Sequence, residues 1–196
     1  MMMTELLHYF SSHTIEVIAA FTGILSVLFQ IRQNILVWFF GIVASLLYAW
    51  VFFHSRLYAL MSLQAYYIAI SIYGWVVWVR KKKQDDTAIR RLSVRETIRF
   101  FLILAMLSGA FFLFLSRYTD SVVPFADAFI TASCLVASYM LAHKYLEQWL
   151  VWLVVDDISI FLYLNQHLYS TVVFSIVLSV MAVVGFSQWK KQWQQQ

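Results

Sequence analysis

Seven runs of apolar residues, each close to the length a helix needs to cross a bilayer, follow one another with connections as short as three residues. They fall at 15–31, 35–53, 58–79, 99–116, 122–142, 146–164 and 169–189. A bilayer core offers no water to backbone N–H and C=O groups, so spanning segments must satisfy those groups internally, as helices. Composition agrees with this reading. Of the 196 residues, 62% are hydrophobic and 12% charged, with one proline, and the mean hydropathy is +0.75. Soluble domains carry roughly 45–50% apolar and about 25% charged residues, so the expected class is an all-α integral membrane protein. A lone cysteine, Cys134, excludes an intramolecular disulfide. The first dozen residues include Glu5 and no basic run, which argues against a cleaved signal peptide. The net charge of +4 is no nucleic-acid signature, because the basic residues cluster beside spans rather than on one folded face.

Those basic residues set the expected orientation. The longest connection, 80–98, opens Arg80-Lys81-Lys82-Lys83 and continues to Arg90, Arg91 and Arg95. Cytoplasmic loops carry the excess of Lys and Arg, and placing this one inside fixes every other. Arg32, Lys144, Lys190 and Lys191 then lie inside and Arg99 at the inner edge of the fourth span. Of the fourteen basic residues only Arg56 and Arg117 fall outside. The N-terminus is expected outside and the C-terminus in the cytoplasm. Short connections (Arg32-Gln33-Asn34, His54-Ser55-Arg56, His143-Lys144-Tyr145, Asn165-Gln166-His167) make successive helices antiparallel neighbours.

The chain also repeats itself. Gly74-Trp75-Val76-Val77-Trp78 returns 111 residues later as Gly185-Phe186-Ser187-Gln188-Trp189, and Leu57-Tyr58-Ala59 returns at the same offset as Leu168-Tyr169-Ser170. Asn34 and Trp38 pair with Gln148 and Trp152 at 114, a difference assigned to a shorter loop. Helix four returns the chain to the outside, so helices five to seven run in the same sense as one to three. The expected architecture is 3+1+3, with parallel repeats about an axis along the membrane normal. Its parts are 1–98 (first repeat with the basic loop), 99–121 (linker helix four) and 122–196 (second repeat). Two half-structures commonly enclose a site, which points to a transporter with its site between helices 1–3 and 5–7.

Ionisable residues at bilayer depth cost about 2.5–3.5 kcal/mol on insertion scales. Helix six carries two, Asp156 and Asp157. Neighbouring helical residues point about 100° apart, and Asp156 is the one on a stripe with Trp149, Trp152, Ser159 and Tyr163. No Lys or Arg lies inside a span, so Asp156 must be protonated, face a water-filled cavity or meet a cationic ligand. Otherwise it bonds to Ser, Tyr or backbone groups of neighbouring helices. Helix three aligns Gln64, Tyr67, Ser71, Gly74, Trp75 and Trp78; Gln64 can donate and accept, either to a ligand or between helices. Asn34, Trp38 and Ser45 continue the polar theme on helix two, and Asp127 lies near the outer end of helix five. Trp152 beside Asp156 suits a flat cationic ring through stacking and cation–π attraction. Trp189 and Trp193 read as an interfacial belt, and Gly41, Gly74 and Gly185 as close-packing positions. No Walker-type glycine loop occurs, no lysine lies between Tyr169 and Trp189 to hold retinal, and His143 with Glu147 is too few ligands for a metal. No cofactor is expected.

Together these residues resemble the PnuC family of vitamin-precursor transporters over nearly the whole chain. The matches are Asn34-x-x-x-Trp38-x-x-Gly41, Leu57-Tyr58-Ala59, Leu63-Gln64-x-x-Tyr67 and Tyr73-Gly74-Trp75-x-x-Trp78. The second half supplies Lys144-Tyr145-x-Glu147-x-Trp149-x-x-Trp152, Leu168-Tyr169 and Gly185-x-x-x-Trp189. The resemblance implies a fold related to the SWEET sugar transporters, a homotrimer, and uptake across the bacterial inner membrane by facilitated diffusion, with a cytoplasmic kinase trapping the substrate. It implies nicotinamide riboside as substrate, with thiamine and riboflavin carried by related members. Asp156 departs from the pattern, since nicotinamide riboside members carry Asn there and another Asn near Ala44. That departure moves the expectation toward thiamine, whose ring is also cationic. The rival class is a non-transporting scaffold or lipid enzyme that presents the 80–98 loop to anionic lipid.

Overall fold

Satisfying the backbone inside each span leaves helices, and helices are what the chain forms. The computed structural model describes residues 14–54, 58–83, 88–119, 123–165 and 169–196. Glu5 with the rest of the first dozen residues, Arg56, Leu57 and Leu168 lie outside them. Seven helices occur among the described residues: α1 (Thr14–Ile31), α2 (Leu36–His54), α3 (Tyr58–Lys83), α4 (Val94–Tyr118), α5 (Pro124–Ala142), α6 (Gln148–Asn165) and α7 (Tyr169–Gln194). By length and composition, α2, α4, α5, α6 and Thr171–Gln194 of α7 can cross a membrane, and α1 adds the shorter apolar stretch Ile18–Ile31. The protein is a multi-pass membrane protein.

Helix ends follow local chemistry rather than the limits of the apolar runs. α4 begins at Val94, ahead of the run starting at 99, because Ser93 and Glu96 form a reciprocal capping box. Ser93 N donates to Glu96 Oε2 at 2.8 Å, and Glu96 N donates to Ser93 Oγ at 3.3 Å. α5 opens on Pro124, the residue that lacks the N–H an N-terminal turn cannot use. α3 and α7 run on into Arg80–Lys83 and Lys190–Lys191, cations that complement the carbonyl end of a helix.

The helices divide into two units, 1–84 and 85–196. In the first, α2 packs on α1 and α3; in the second, α4 packs on α5, α5 on α6 and α6 on α7. α4 packs on α5 and buries none of its residues. Phe101, Leu102 and Met106 stay two-thirds exposed or nearly so, as suits a helix that faces lipid.

Within the units, the 111-residue repeat continues where 114 was expected. In the α1–α2 turn Asn34 N donates to Phe29 O, Val37 N to Asn34 O and Trp38 N to Ile35 O; in the α5–α6 turn Tyr145 N donates to Met140 O, Gln148 N to Tyr145 O and Trp149 N to Leu146 O. Each bond is matched at an offset of 111. Gln33 (φ 51°) and Lys144 (φ 58°), also 111 apart, take the left-handed conformation that costs a residue with a Cβ roughly 1–2 kcal/mol. Two turns of one design hold both in place. The loop is not shortened, and the counterpart of Trp38 is Trp149 rather than Trp152.

The same offset governs packing. Trp38 crosses Trp78 edge to face at 5.4 Å between ring centroids, and Trp149 crosses Trp189 at 5.6 Å. Each first ring lies against a glycine of the facing helix. A Cβ on Gly74 would stand 2.3 Å from Trp38 Cζ2, and one on Gly185 would stand 2.5 Å from Trp149 Cζ2. This bears out the reading of Gly74 and Gly185 as close-packing positions. It corrects the one for Trp189, which is fully buried in the pair and is not a belt residue. Between membrane helices, where lipid removes the hydrophobic drive, such close contact is what holds neighbours together.

Residues 88–93 form a strap along the second unit. Arg90 N donates to Lys144 O and Leu146 N to Arg90 O, both at 2.9 Å. Glu147 accepts from Leu92 N at 3.1 Å and from Arg91 Nε at 3.3 Å, so its charge serves the loop. Tyr145 OH donates to Glu96 Oε1 at 2.7 Å, and the Arg91 guanidinium lies 5.1 Å from the Trp193 ring centroid. No group of three or more metal-ligating side chains occurs among the described residues.

Candidate functional site

The polar residues of interest fall in two sets, one in each unit. In the second unit α6 carries Asp156 and Asp157, which the helical turn sends to different faces. Asp156 is 7% exposed; Asp157 is exposed and accepts a hydrogen bond from Ser179 Oγ at 2.9 Å. The buried face of α6 also holds Trp149, Val155 and Ser159, with Trp152 and Tyr163 half-buried on it. Asp156 and Ser159 make no hydrogen bond among the described residues, and Trp152 Nε1 is buried without a partner. Inside a membrane protein a buried polar atom without a partner costs roughly 1–3 kcal/mol by mutational data. The face thus gathers a carboxylate, a hydroxyl and an indole N–H, and of these the indole N–H is fully buried without a partner among the described residues.

In the first unit Gln64 and Ser71 on α3 and Ser45 on α2 are buried, and none has a hydrogen bond among the described residues. Gly41 brings α2 close to α3, so that a Cβ there would sit 3.2 Å from Ser71 Oγ and 3.6 Å from Ser26 Oγ. Ser26 Oγ already donates to Val37 O at 2.8 Å. Tyr67 is half-buried, stacked edge to face on Tyr66, and Trp75 is half-buried. Asn34 is exposed and its Oδ1 accepts from Leu36 N at 3.0 Å, which ties down the first turn of α2. Trp38 lies in the Gly74–Trp78 packing described above.

The structure thus groups Asp156, Trp152, Ser159 and Tyr163 on one helix, and Gln64, Tyr67, Ser71 and Trp75 on another. Among the buried hydroxyls not singled out in the sequence are Ser133 on α5, 1% exposed with an unpartnered Oγ, and Ser175 on α7, 4% exposed. Ser175 stands 111 residues after Gln64, so the repeat itself was the signal that could have found it. Chemically the α6 residues offer one anionic group, a hydroxyl and aromatic faces, and the α3 residues offer neutral donors and acceptors with aromatic faces. These are group types that non-covalent recognition uses.

Comparison with known proteins agrees. The profile of the nicotinamide mononucleotide transporter family matches residues 13–191. The chain is 26% identical over 201 residues to the nicotinamide riboside transporter PnuC of Escherichia coli, covering 89% of this chain and 84% of that one. It is 26% identical over 189 residues to the riboflavin/roseoflavin transporter RibM of Streptomyces davaonensis, covering 92% and 87%. The crystal structure of the vitamin B3 transporter PnuC superposes with a TM-score of 0.78 at 22% identity, over 98% of this chain and 87% of that one. These relatives are transporters and not enzymes.

Proposed function

This chain belongs to the nicotinamide mononucleotide transporter family, and from that premise we propose that it takes up a B-vitamin cofactor precursor bearing a cationic aromatic ring. Nicotinamide riboside is the first substrate, as the name of the Escherichia coli relative favours. The observation that carries the reading is Asp156: a carboxylate buried on α6 without a hydrogen-bonding partner among the described residues, on one face with the unpartnered indole N–H of Trp152. A bound pyridinium supplies the missing countercharge, and the indole supplies a face or a donor. The same carboxylate favours thiamine, whose thiazolium is also cationic, as the alternative. It disfavours neutral flavin, although one relative bears the name of a riboflavin transporter. Tyr163 is the further candidate on α6; in the first unit the candidates are Gln64, Tyr67, Ser71 and Trp75 on α3.

The chain has no Walker-type glycine loop, so accumulation comes from trapping or from an ion gradient; the resemblance favours facilitated diffusion, with a cytoplasmic kinase that phosphorylates and so traps the substrate. The basic residues orient the protein in the bacterial inner membrane with the N-terminus outside and the C-terminus in the cytoplasm; the assembly is a homotrimer.

Titration of detergent-purified protein with nicotinamide riboside, thiamine and riboflavin in parallel tests this, followed by tryptophan fluorescence or calorimetry. Saturable binding of a cationic ligand that Asp156→Ala abolishes is the expected result. Binding of flavin alone, or uptake untouched in Asp156→Ala, Trp152→Ala and Gln64→Ala, refutes the assignment. Substrate entry into liposomes without a change in lumenal pH is expected of a uniporter; acidification means proton symport.

A further inference from the structure

We propose that the outward stripe of α4 seats an anionic phospholipid of the leaflet on the side of the basic 80–98 loop. Arg95 and Arg99 hold its phosphate, and Leu102, Met106 and Leu113 lie along its chains. The surface is separate from the substrate candidates, so this inference stands whether or not the reading of Asp156 holds. The first ground is how α4 is turned. Phe100, Ile103, Leu104 and Leu107 pack against the Val136–Met140–Tyr145 cluster. Arg95, Arg99, Leu102, Met106, Gly109 and Leu113 share one stripe about 80° wide, centred roughly 130° from that packed face at the 100° turn of each helical residue. All six are exposed.

The second ground is charge. Arg91 is engaged, by Glu147 at 3.3 Å and by the Trp193 ring. Arg95 and Arg99 make no hydrogen bond or ion pair among the described residues. Glu96 lies between them in sequence but is turned to the protein, where Ser93 N and Tyr145 OH donate to its carboxylate; Arg99 bears on it only as the smallest of several influences. The capping box fixes the first turn of α4, so the two guanidinium groups stand on a rigid helix at i and i+4, about 5–6 Å apart at Cβ. Two such planar forks can share one phosphodiester, a group that arginine binds in bidentate fashion.

The third ground is depth. The apolar run of α4 starts at Arg99. Leu102 to Leu113 covers about 16 Å at the helical rise, close to one leaflet of a hydrocarbon core roughly 30 Å thick. Over that length the stripe presents Leu102, Met106 and Leu113, each more than half exposed, with open space at Gly109, where a Cβ would meet nothing within 4 Å. Paired cations above a leaflet-long apolar track complement an anionic phospholipid, whose charge draws basic side chains to the membrane surface. Orientation requires only a count of basic residues, which Arg80–Lys83 already provide; it does not require two arginines in line with an exposed apolar stripe.

Native mass spectrometry of the full-length protein decides it, with delipidated samples in detergent titrated with dioleoylphosphatidylglycerol or dioleoylphosphatidylcholine. The double variant Arg95→Gln, Arg99→Gln should bind phosphatidylglycerol at least about tenfold more weakly, at about fivefold for each charge removed. Its binding of phosphatidylcholine should equal the parent's. Lys190→Gln with Lys191→Gln removes as much exposed charge from the end of α7 and should cost less than about twofold. Phosphatidylglycerol affinity within twofold of the parent in the arginine variant overturns the assignment. So does an equal loss in the two double variants, which is diffuse attraction, or an equal loss for both lipids. Displacement of the lipid by glycerol 3-phosphate at matched concentration makes the site one for soluble phosphates, and crosslinking of Met106→Cys between copies puts a second copy of the chain on the stripe; either result refutes the lipid seat.

Discussion

Substituting Gly185 by alanine isolates the contact on which α6 and α7 approach one another. The added Cβ would stand 2.5 Å from both Cζ2 and Cη2 of Trp149 and 2.7 Å from Cε2. Ordinary van der Waals contact begins near 3.4 Å, so the ring or the helix must give way by about 1 Å. The ring has no room, because Trp149 is 1% exposed and its other side meets Trp189 at 5.6 Å. Overpacking of this kind costs typically about 1–3 kcal/mol, against which the better helix propensity of alanine returns about 1 kcal/mol. Two other helical glycines provide the control. A Cβ on Gly23 or Gly109 meets nothing within 4 Å, so alanine there keeps only the propensity gain. Thermal unfolding in one detergent should place Gly185→Ala below the parent, by about 2–4 °C for each kcal/mol at this chain length, and Gly109→Ala at or above it. Trp149→Phe, with a shorter ring, should offset part of the loss when combined with Gly185→Ala, giving a coupling energy of about 0.5–3 kcal/mol between the two sites. A Gly185→Ala protein as stable as Gly109→Ala, or strict additivity with Trp149→Phe, would refute the packing argument.

Further predictions concern the strap and the repeat. Glu147→Gln removes the charge that accepts Leu92 N and Arg91 Nε; hydrogen exchange at the amides of residues 90–92 should quicken, by about 1 kcal/mol of lost protection, while the α6 amides stay unchanged. Glu96 lies outside the apolar run of α4, and its carboxyl is held down to about 2 by the Ser93 backbone N–H, then by Tyr145 OH and Ser93 Oγ. Its folded pKa is depressed below the usual 4.5. The stability it adds is therefore present above that value and lost as pH falls toward 2, and Glu96→Gln should flatten the melting profile across that window. Tyr145, whose phenol burial and then Glu96 push upward, is favoured in its neutral form. Tyr145→Phe should raise the Glu96 pKa, seen as a shift of the acid limb to higher pH. Gly74→Ala should behave as Gly185→Ala does, since Trp38 Cζ2 lies 2.3 Å from its Cβ position.

The class of fold was legible in the sequence because it follows from one-dimensional quantities. Apolar run length dictates spanning helices, and the count of runs gives seven. The stripe spacing that put Asp156, rather than Asp157, toward the interior was legible for the same reason: a helix rotates by a fixed angle per residue. Where two helices meet, the sequence misled. By local spacing Trp152 pairs with Trp38, because both follow an amide residue by four positions. In the structure Trp149 takes that place, because what is conserved between the halves is the lodging of an indole on a facing glycine rather than a local pattern. At the cytoplasmic end of its apolar run Trp189 reads as an interfacial residue; the approach of α6 buries it.

What the sequence by itself determined is therefore the membrane class, the helices, the existence of a repeat and the face of α6 that carries charge. All of these depend on residues near one another along the chain. Tertiary structure alone decided the register between the halves, the strap that fastens residues 88–93 to the α5–α6 turn, and which buried hydroxyls go unfilled. Each depends on how closely two backbones approach, and that distance is fixed by the absence of a Cβ at Gly185 or by an Arg90–Leu146 hydrogen bond spanning more than fifty residues. No local spacing encodes it.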